Sequence, residues 1–483
     1  MNPTTFAAIL PEVLLLVLGI LILVVEPFWK ENERRNTGWL TFGGLLAVLV
    51  VSLLAGRPGE PTSVFGGTIR FDWLGFFFKM LFIFAAAMTT LFMMDVEKLG
   101  RRGESYLLLL ASTLGMNLMA SASDLVMLYL AIETTSIPLY VLSGFMVDDE
   151  KSAEAGFKYL LFGAMTSAVM LYGFSLLFGF TGTTNLYDIA AAIAGAKIST
   201  MTALGVIALI LVGLGFKVSL VPFHFWAPDT YEGAPAPVAG FLSTASKAAG
   251  FAVLMRLFFI AFAKNGLSPD WTTGLAILAT LTMTLGNLVA MTQTNIKRLL
   301  AYSSIAHAGY VMIGVVAFSD LGATSVIFYL IAYILTNLAA FGIVAVFSRV
   351  SGSDRIADYA GLSRRSPWLA IAMLVAFLSL AGMPPFGGFV AKVFVFAAAV
   401  EADMVWLAFV GVINSILGLY YYLTVLKVVY LYRMEGEAEE SHPIPLTRPY
   451  GIALVVLSLG VLLIGTLFAP WFGASGAAAL NLF

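Results

Sequence analysis

The sequence predicts an all-α polytopic membrane protein of about fourteen transmembrane helices, with two inverted five-helix repeats and two discontinuous helices, the seventh and the twelfth. Three observations predict it. Of 483 residues, 60% are hydrophobic and only 11% charged, and the mean hydropathy is +0.94; a water-soluble domain of this length is not so apolar. Apolar windows of about 20 residues, the length that crosses hydrocarbon, recur along the whole chain. Prolines break two of these windows, at Pro222, Pro228, Pro235 and Pro237 and again at Pro384 and Pro385, and each break has a lysine nearby, Lys217 before the first and Lys392 after the second.

In order, the spans are 6–28, 38–55, 73–95, 105–121, 124–147, 154–180, 201–227, 237–263, 272–292, 297–317, 321–348, 367–401 (interrupted), 403–432 and 449–472. The first lacks a basic leader and a small-residue cleavage site, so it reads as a retained span and not as a signal peptide. The fourth and fifth are separated only by Ser121, Ala122, Ser123 and Asp124. Basic residues test the count. If the spans alternate in direction, one side holds Lys30, Arg34, Arg35, Lys98, Arg101, Arg102, Lys151, Lys297, Arg298, Arg349, Arg355, Arg364, Arg365, Arg433 and Arg448, and the other only Arg57, Arg70, Lys197 and Lys264. The positive-inside rule makes the first side cytoplasmic and puts both termini outside.

Seven basic residues remain within spans. Lys79, Arg256 and Lys427 lie towards span ends, where long side chains snorkel to the interface. Lys158 sits near the cytoplasmic start of its span, where it either snorkels or tunes a neighbouring carboxylate. Lys217, Lys247 and Lys392 fall nearer the middle, where ionisable residues are expensive and commonly mark ion or proton paths. Glu133 is the one carboxylate well inside a central span; Glu12 lies in an apolar run near the terminus, where packing against a partner is an equal reading.

Spans four to eight and nine to thirteen form blocks of similar length. Each has an odd number of spans, so the second starts on the opposite side of the membrane, and the fourth span of each is the broken one. That is the pattern of an inverted repeat around a transport site. The expected division is an N-terminal three-helix segment at 1–104, the first repeat at 105–263, the second at 264–432, and a last helix and tail at 433–483.

The central charges suggest proton transfer. Burial disfavours an ammonium and a nearby carboxylate favours it, so a lysine between these influences exchanges its proton when the carboxylate moves. Glu133 and Lys217 are the expected pair. Lys247 receives the proton, His224 beside the first break relays it, and His307 carries it towards Lys392; an unperturbed imidazole titrates near about 6.5. Each histidine is as readily a hydrogen-bonded core residue. Zero cysteines exclude thiolate-ligated iron-sulfur clusters and disulfides. Three histidines, His224, His307 and His442, make a haem or zinc site improbable, and no nucleotide-binding or metalloprotease motif is present. No basic run suggests nucleic acid.

The stretches GFKVSLVPFHFWAPDTYEGAPAPVAGFLSTASKAAGFA, RLLAYSSIAHAGYVMIG and DYAGLSRRSPWLAIAMLVAFLSLAGMPPFGGFVAKVF resemble the antiporter-like membrane subunits of bacterial respiratory complex I, the proton-pumping NADH:quinone oxidoreductase, and among them the subunit N type. The likeness spans about 105–430. It implies a translocase subunit in the bacterial inner membrane, partnered by other membrane-arm subunits, including sister antiporter-like ones. It implies that proton transfer through internal water is coupled to quinone reduction elsewhere, with no cofactor in this chain and NADH, FMN, iron-sulfur clusters and quinone in others. It implies proton-transfer roles for Glu133, Lys158, Lys217, Lys247 and Lys392, the last distinguishing this type from a sister with glutamate there. The MPPFGG wording departs slightly from the commonest form of the family. Alternative readings are a subunit of an Mrp-type secondary cation/proton antiporter and a structural spacer that keeps the fold without pumping.

Overall fold

Apolar residues without water to bond to must satisfy their backbone internally, and helices do so. The computed structural model describes residues 3–195, 198–263, 268–433, 444–480 and 482; Lys197, Lys264 and His442 lie outside them. Among the described residues twelve helices are long and apolar enough to cross a membrane: Leu10–Phe28, Asn36–Ala55, Trp73–Met93, Leu125–Ser143, Glu150–Thr181, Thr200–Val218, Ala236–Ala261, Pro269–Ala290, Ile296–Val316, Asp320–Ser351, Val405–Leu431 and Arg448–Thr466. The remaining expected spans correspond to Gly103–Ser121, which is less apolar, and to the pair Pro367–Ala381 and Gly387–Glu401. Unforeseen were an antiparallel hairpin, Thr62–Val64 with Ile69–Phe71, a helix Leu186–Ala194 in a connection, and Phe468–Ala479 after the last span. Elements this short carry too few residues to show a period.

Burial sorts the helices into centre and rim. The apolar windows of Ala236–Ala261 and Asp320–Ser351 are wholly buried, whereas that of Asn36–Ala55 is 28% buried. Lipid is as apolar as leucine, so helices in a bilayer gain chiefly from close approach at small residues. Gly309 shows this: a Cβ there would meet the Met283 backbone nitrogen at 2.7 Å and the Ala279 carbonyl at 2.9 Å. Gly309→Leu must push Pro269–Ala290 away from Ile296–Val316, and we expect it to cost about 1–3 kcal/mol or more, read as a lower unfolding temperature of the purified protein.

Two charges expected to snorkel do not. Lys79 is buried, with its ammonium 2.7 Å from Glu12 Oε1 and 2.8 Å from the Ala8 carbonyl. Arg256 is buried in a two-pronged pair with Asp72, at 2.8 and 2.7 Å, while its Nε donates to the Ala120 carbonyl at 2.6 Å. Snorkelling fails because these residues face other helices and not lipid. Lys427 is exposed, over the Tyr432 ring.

The two broken helices end alike. At the first, Ser219 takes the left-handed conformation (φ 62°), its N–H bonds to Phe216 O at 3.0 Å, and Leu220 N–H to Gly215 O at 2.8 Å. At the second, Gly382 is left-handed (φ 84°), its N–H bonds to Ser379 O and Met383 N–H to Leu378 O, both at 2.9 Å. This is the paired closure of a Schellman motif. A second correspondence joins the blocks. Asp124 and Asn295 each cap a helix with their side chains and form isolated bridges with Asn185 and Arg355. Each bridged segment follows a 32-residue helix closed by a left-handed glycine, Gly182 or Gly352.

Candidate functional site

The expected site residues fall into a buried group and a rim. Glu133 lies within Leu125–Ser143, whose N-terminus Asp124 caps through Val126 N at 2.9 Å and Met127 N at 3.1 Å. Its carboxylate accepts from the Ser167 hydroxyl on the neighbouring Glu150–Thr181 helix. One turn on, Ser136 accepts from the Lys217 ammonium at 2.8 Å. Residues three apart share a helix face, so Glu133 and Lys217 address adjacent points of one surface. No direct ion pair joins them: the Lys217 ammonium is held by Ser136 and the Glu133 carboxylate by Ser167. The Lys217 stem packs on Gly250, where a Cβ would meet Lys217 Cγ at 3.2 Å; that glycine lies one turn after Lys247.

Lys247 turns to the other block. Its ammonium donates to Ser304 Oγ at 2.5 Å and Ser304 O at 3.0 Å, and lies 5.8 Å from the Tyr231 ring centroid. One turn after Ser304 is His307, whose Nδ1 is 2.7 Å from the Tyr329 hydroxyl and Nε2 3.4 Å from the Tyr422 hydroxyl. The ring also stacks on Tyr333. A cavity of about 10 Å³ borders His307, Tyr329, Tyr333 and Ser379, about the space one water needs.

Lys392 lies across the second break. From the second half-helix its ammonium donates to Leu380 O at 3.1 Å and Ala381 O at 3.2 Å, the last carbonyls of the first half, where a helix presents partial negative charge. It also sits 4.8 Å over the Tyr310 ring. Gly382 makes this reach feasible, since a Cβ there would stand 2.9 Å from Lys392 Cδ. At the first break no lysine takes that place: the Phe216 carbonyl, already bonded to Ser219 N–H, accepts a second hydrogen bond from Trp226 Nε1–H at 3.0 Å.

His224 is buried in the first break, its ring 4.5 Å from Phe225 and its Nδ1 without a hydrogen-bond partner among the described residues. Lys158 stands apart from the buried group: it is a third exposed and pairs with Glu154 at 2.5 Å and Asp229 at 2.6 Å. Its partner is thus the second half of the broken helix, Trp226–Gly233, and not Glu133. Sequence reasoning missed the network this joins. Arg298, on the His307 helix, bonds Asp229 at 2.7 Å and Glu232 at 2.8 Å, and Lys151 bonds Glu232 at 2.8 Å. The signal was present: Asp229 and Glu232 stand three apart on one short helix, opposite a basic rim. The tyrosines around His307 and Lys392 were also missed, since their hydroxyls read as apolar pattern.

Membrane-length helices, two breaks with matching closure and a buried row of ionisable groups define an antiporter-like membrane subunit. A family model described as "NADH:quinone oxidoreductase/Mrp antiporter, TM" matches residues 122–418. The chain is 44% identical to the NADH-quinone oxidoreductase subunit N of Moorella thermoacetica, covering 98% of each, and 42% identical to that of Heliobacterium modesticaldum, covering 99% of this chain and 100% of the other. It superposes on a chain of respiratory complex I from Thermus thermophilus with a TM-score of 0.80 at 34% identity, covering 97% and 99%. A chain of the Mrp complex from Dietzia shares the fold, with a TM-score of 0.86 at 23% identity and coverage of 100% and 98%. The chain belongs to the NADH-quinone oxidoreductase subunit N family.

Proposed function

We propose that this chain is a proton-translocating membrane-arm subunit of an NADH:quinone oxidoreductase. One observation carries the proposal: Lys217, Lys247 and Lys392 are all buried and, among the described residues, are held by hydroxyls and carbonyls without a carboxylate partner. A structural charge at such depth is normally paired. An unpaired one, beside carbonyls and hydroxyls that order water, exchanges protons as nearby charge moves.

Protons enter from the arginine-rich cytoplasmic side and pass by Glu133, Lys217, Lys247, His307 and Lys392 to the outside. His224 relays at the first break. Lys158 acts at the rim through Asp229, which sits on the second half of that broken helix. The two blocks are an inverted repeat divided as the sequence suggests, at 105–263 and 264–432; the matching helix closures and the matching bridges at Asn185 and Arg355 support this. The electron carriers, NADH, FMN, iron-sulfur clusters and quinone, belong to partner subunits, and sister antiporter-like subunits flank this one. The setting is the bacterial cytoplasmic membrane, with both termini outside.

The test is purification of the native assembly through this chain. Cluster-binding and quinone-site partners, with quinone reduction that drives sodium-independent proton uptake into inverted vesicles, are expected. Recovery of small cation-antiporter subunits and sodium/proton exchange without electron transfer would replace this reading with the Mrp-type one.

A further inference from the structure

We propose that a cleft on the arginine-rich side, between the ends of Pro269–Ala290 and Val405–Leu431, binds one anionic phospholipid, with its phosphate at Arg355 and an acyl chain along Leu299, Tyr421 and Val428. The cleft has a volume of about 330 Å³. Its lining is chemically mixed: Arg355, Gln293 and Thr294 are polar, and Leu299, Val425 and Val428 apolar. An amphiphile uses both kinds of surface; a free phosphate has no use for the apolar part.

Arg355 is preorganised. Its backbone is bridged to Asn295, flanked by Ile356 N–H to Thr294 O at 2.9 Å and Ile296 N–H to Asp354 O at 2.8 Å. Its guanidinium has no ion-pair partner among the described residues, whereas its neighbours on this rim do: Lys297 pairs with Asp354 at 3.0 Å and Arg298 with Asp229 and Glu232. A guanidinium left free at the headgroup level, above an apolar cleft, matches a phosphate in charge and forked geometry, and basic pockets between helices on this side suit anionic lipid headgroups. The cleft opens sideways to the bilayer, because Leu288, Met291, Ile416 and Tyr420 are exposed beside it. The occupant would brace the relay, since the wall residue Tyr421 donates to Asn287 Oδ1 at 3.1 Å and packs 4.4 Å from Tyr422, the neighbour of His307.

The test uses the intact assembly in phosphatidylcholine nanodiscs containing a photoactivatable phosphatidylglycerol, with crosslinks mapped by mass spectrometry. Labelling is expected on the stretches 290–299 and 420–428. Arg355→Gln should reduce it about fivefold, and Thr424→Trp, which fills the cleft from an exposed position, should abolish it. The proposal is overturned if a photoactivatable phosphatidylcholine labels equally and Arg355→Gln changes nothing, or if these stretches stay unlabelled because another subunit fills the cleft. Crosslinking does not depend on pumping, so its failure is separate from failure of the proton-transfer reading.

Discussion

Lys217→Met is expected to reduce coupled proton uptake in inverted vesicles by roughly 100-fold or more, the scale of a lost proton-transfer group. Methionine keeps the length of the stem that packs on Gly250, so the helix contact survives, but nothing remains to donate to Ser136. Lys217→Arg sharpens the result. Arginine retains the positive charge and the donors but does not release its proton in proteins. If Lys217 exchanges a proton, arginine fails nearly as badly as methionine; if it is only a structural charge, arginine restores function. Full pumping by Lys217→Met would favour the reading of the chain as a spacer.

The second large effect is on stability. Arg256→Ala should destabilise the protein by about 3–5 kcal/mol, the usual result of stranding one member of a buried ion pair. Asp72 would remain buried with two oxygens that now face Arg256 Nη1 and Nη2, and the Ala120 carbonyl would lose its donor. The lesion also reaches a helix terminus, since Asp72 Oδ1 accepts from Gly75 N–H at 2.8 Å. Arg256→Met combined with Asp72→Asn should recover part of the loss, because no unpaired charge is left and asparagine still caps. Thermal unfolding of the purified protein measures both. An unchanged melting temperature for Arg256→Ala would mean that the pair contributes nothing net.

These two lysine and arginine positions show where reading a linear pattern stops. Depth along a span is legible, because it is a count of apolar residues from the last charge, and it picked out Lys217, Lys247, Lys392 and Glu133. Direction around the helix is not. Arg256 and Lys79 stand near span ends just as Lys427 does, yet two are buried against other helices and one is exposed. Lys158 had two candidate roles from its position, and it has a third, as partner of Asp229, because the short helix Trp226–Gly233 folds back towards it.

By itself the sequence determined that the chain is a helical membrane protein, roughly where its helices begin and break, and which ionisable residues are deep. Hydrophobic length, proline and charge are local properties, and a bilayer reads them locally. Only the tertiary structure decided which groups meet: Lys217 with Ser136 and not Glu133, Lys247 with Ser304 of the other block, Lys392 with the carbonyl end of the opposite half-helix, Arg256 with Asp72. Those pairings join residues from 11 to 184 positions apart, and they depend on the rotation of each helix about its axis, which close packing at glycines sets and which the linear order of an almost uniformly apolar chain leaves open.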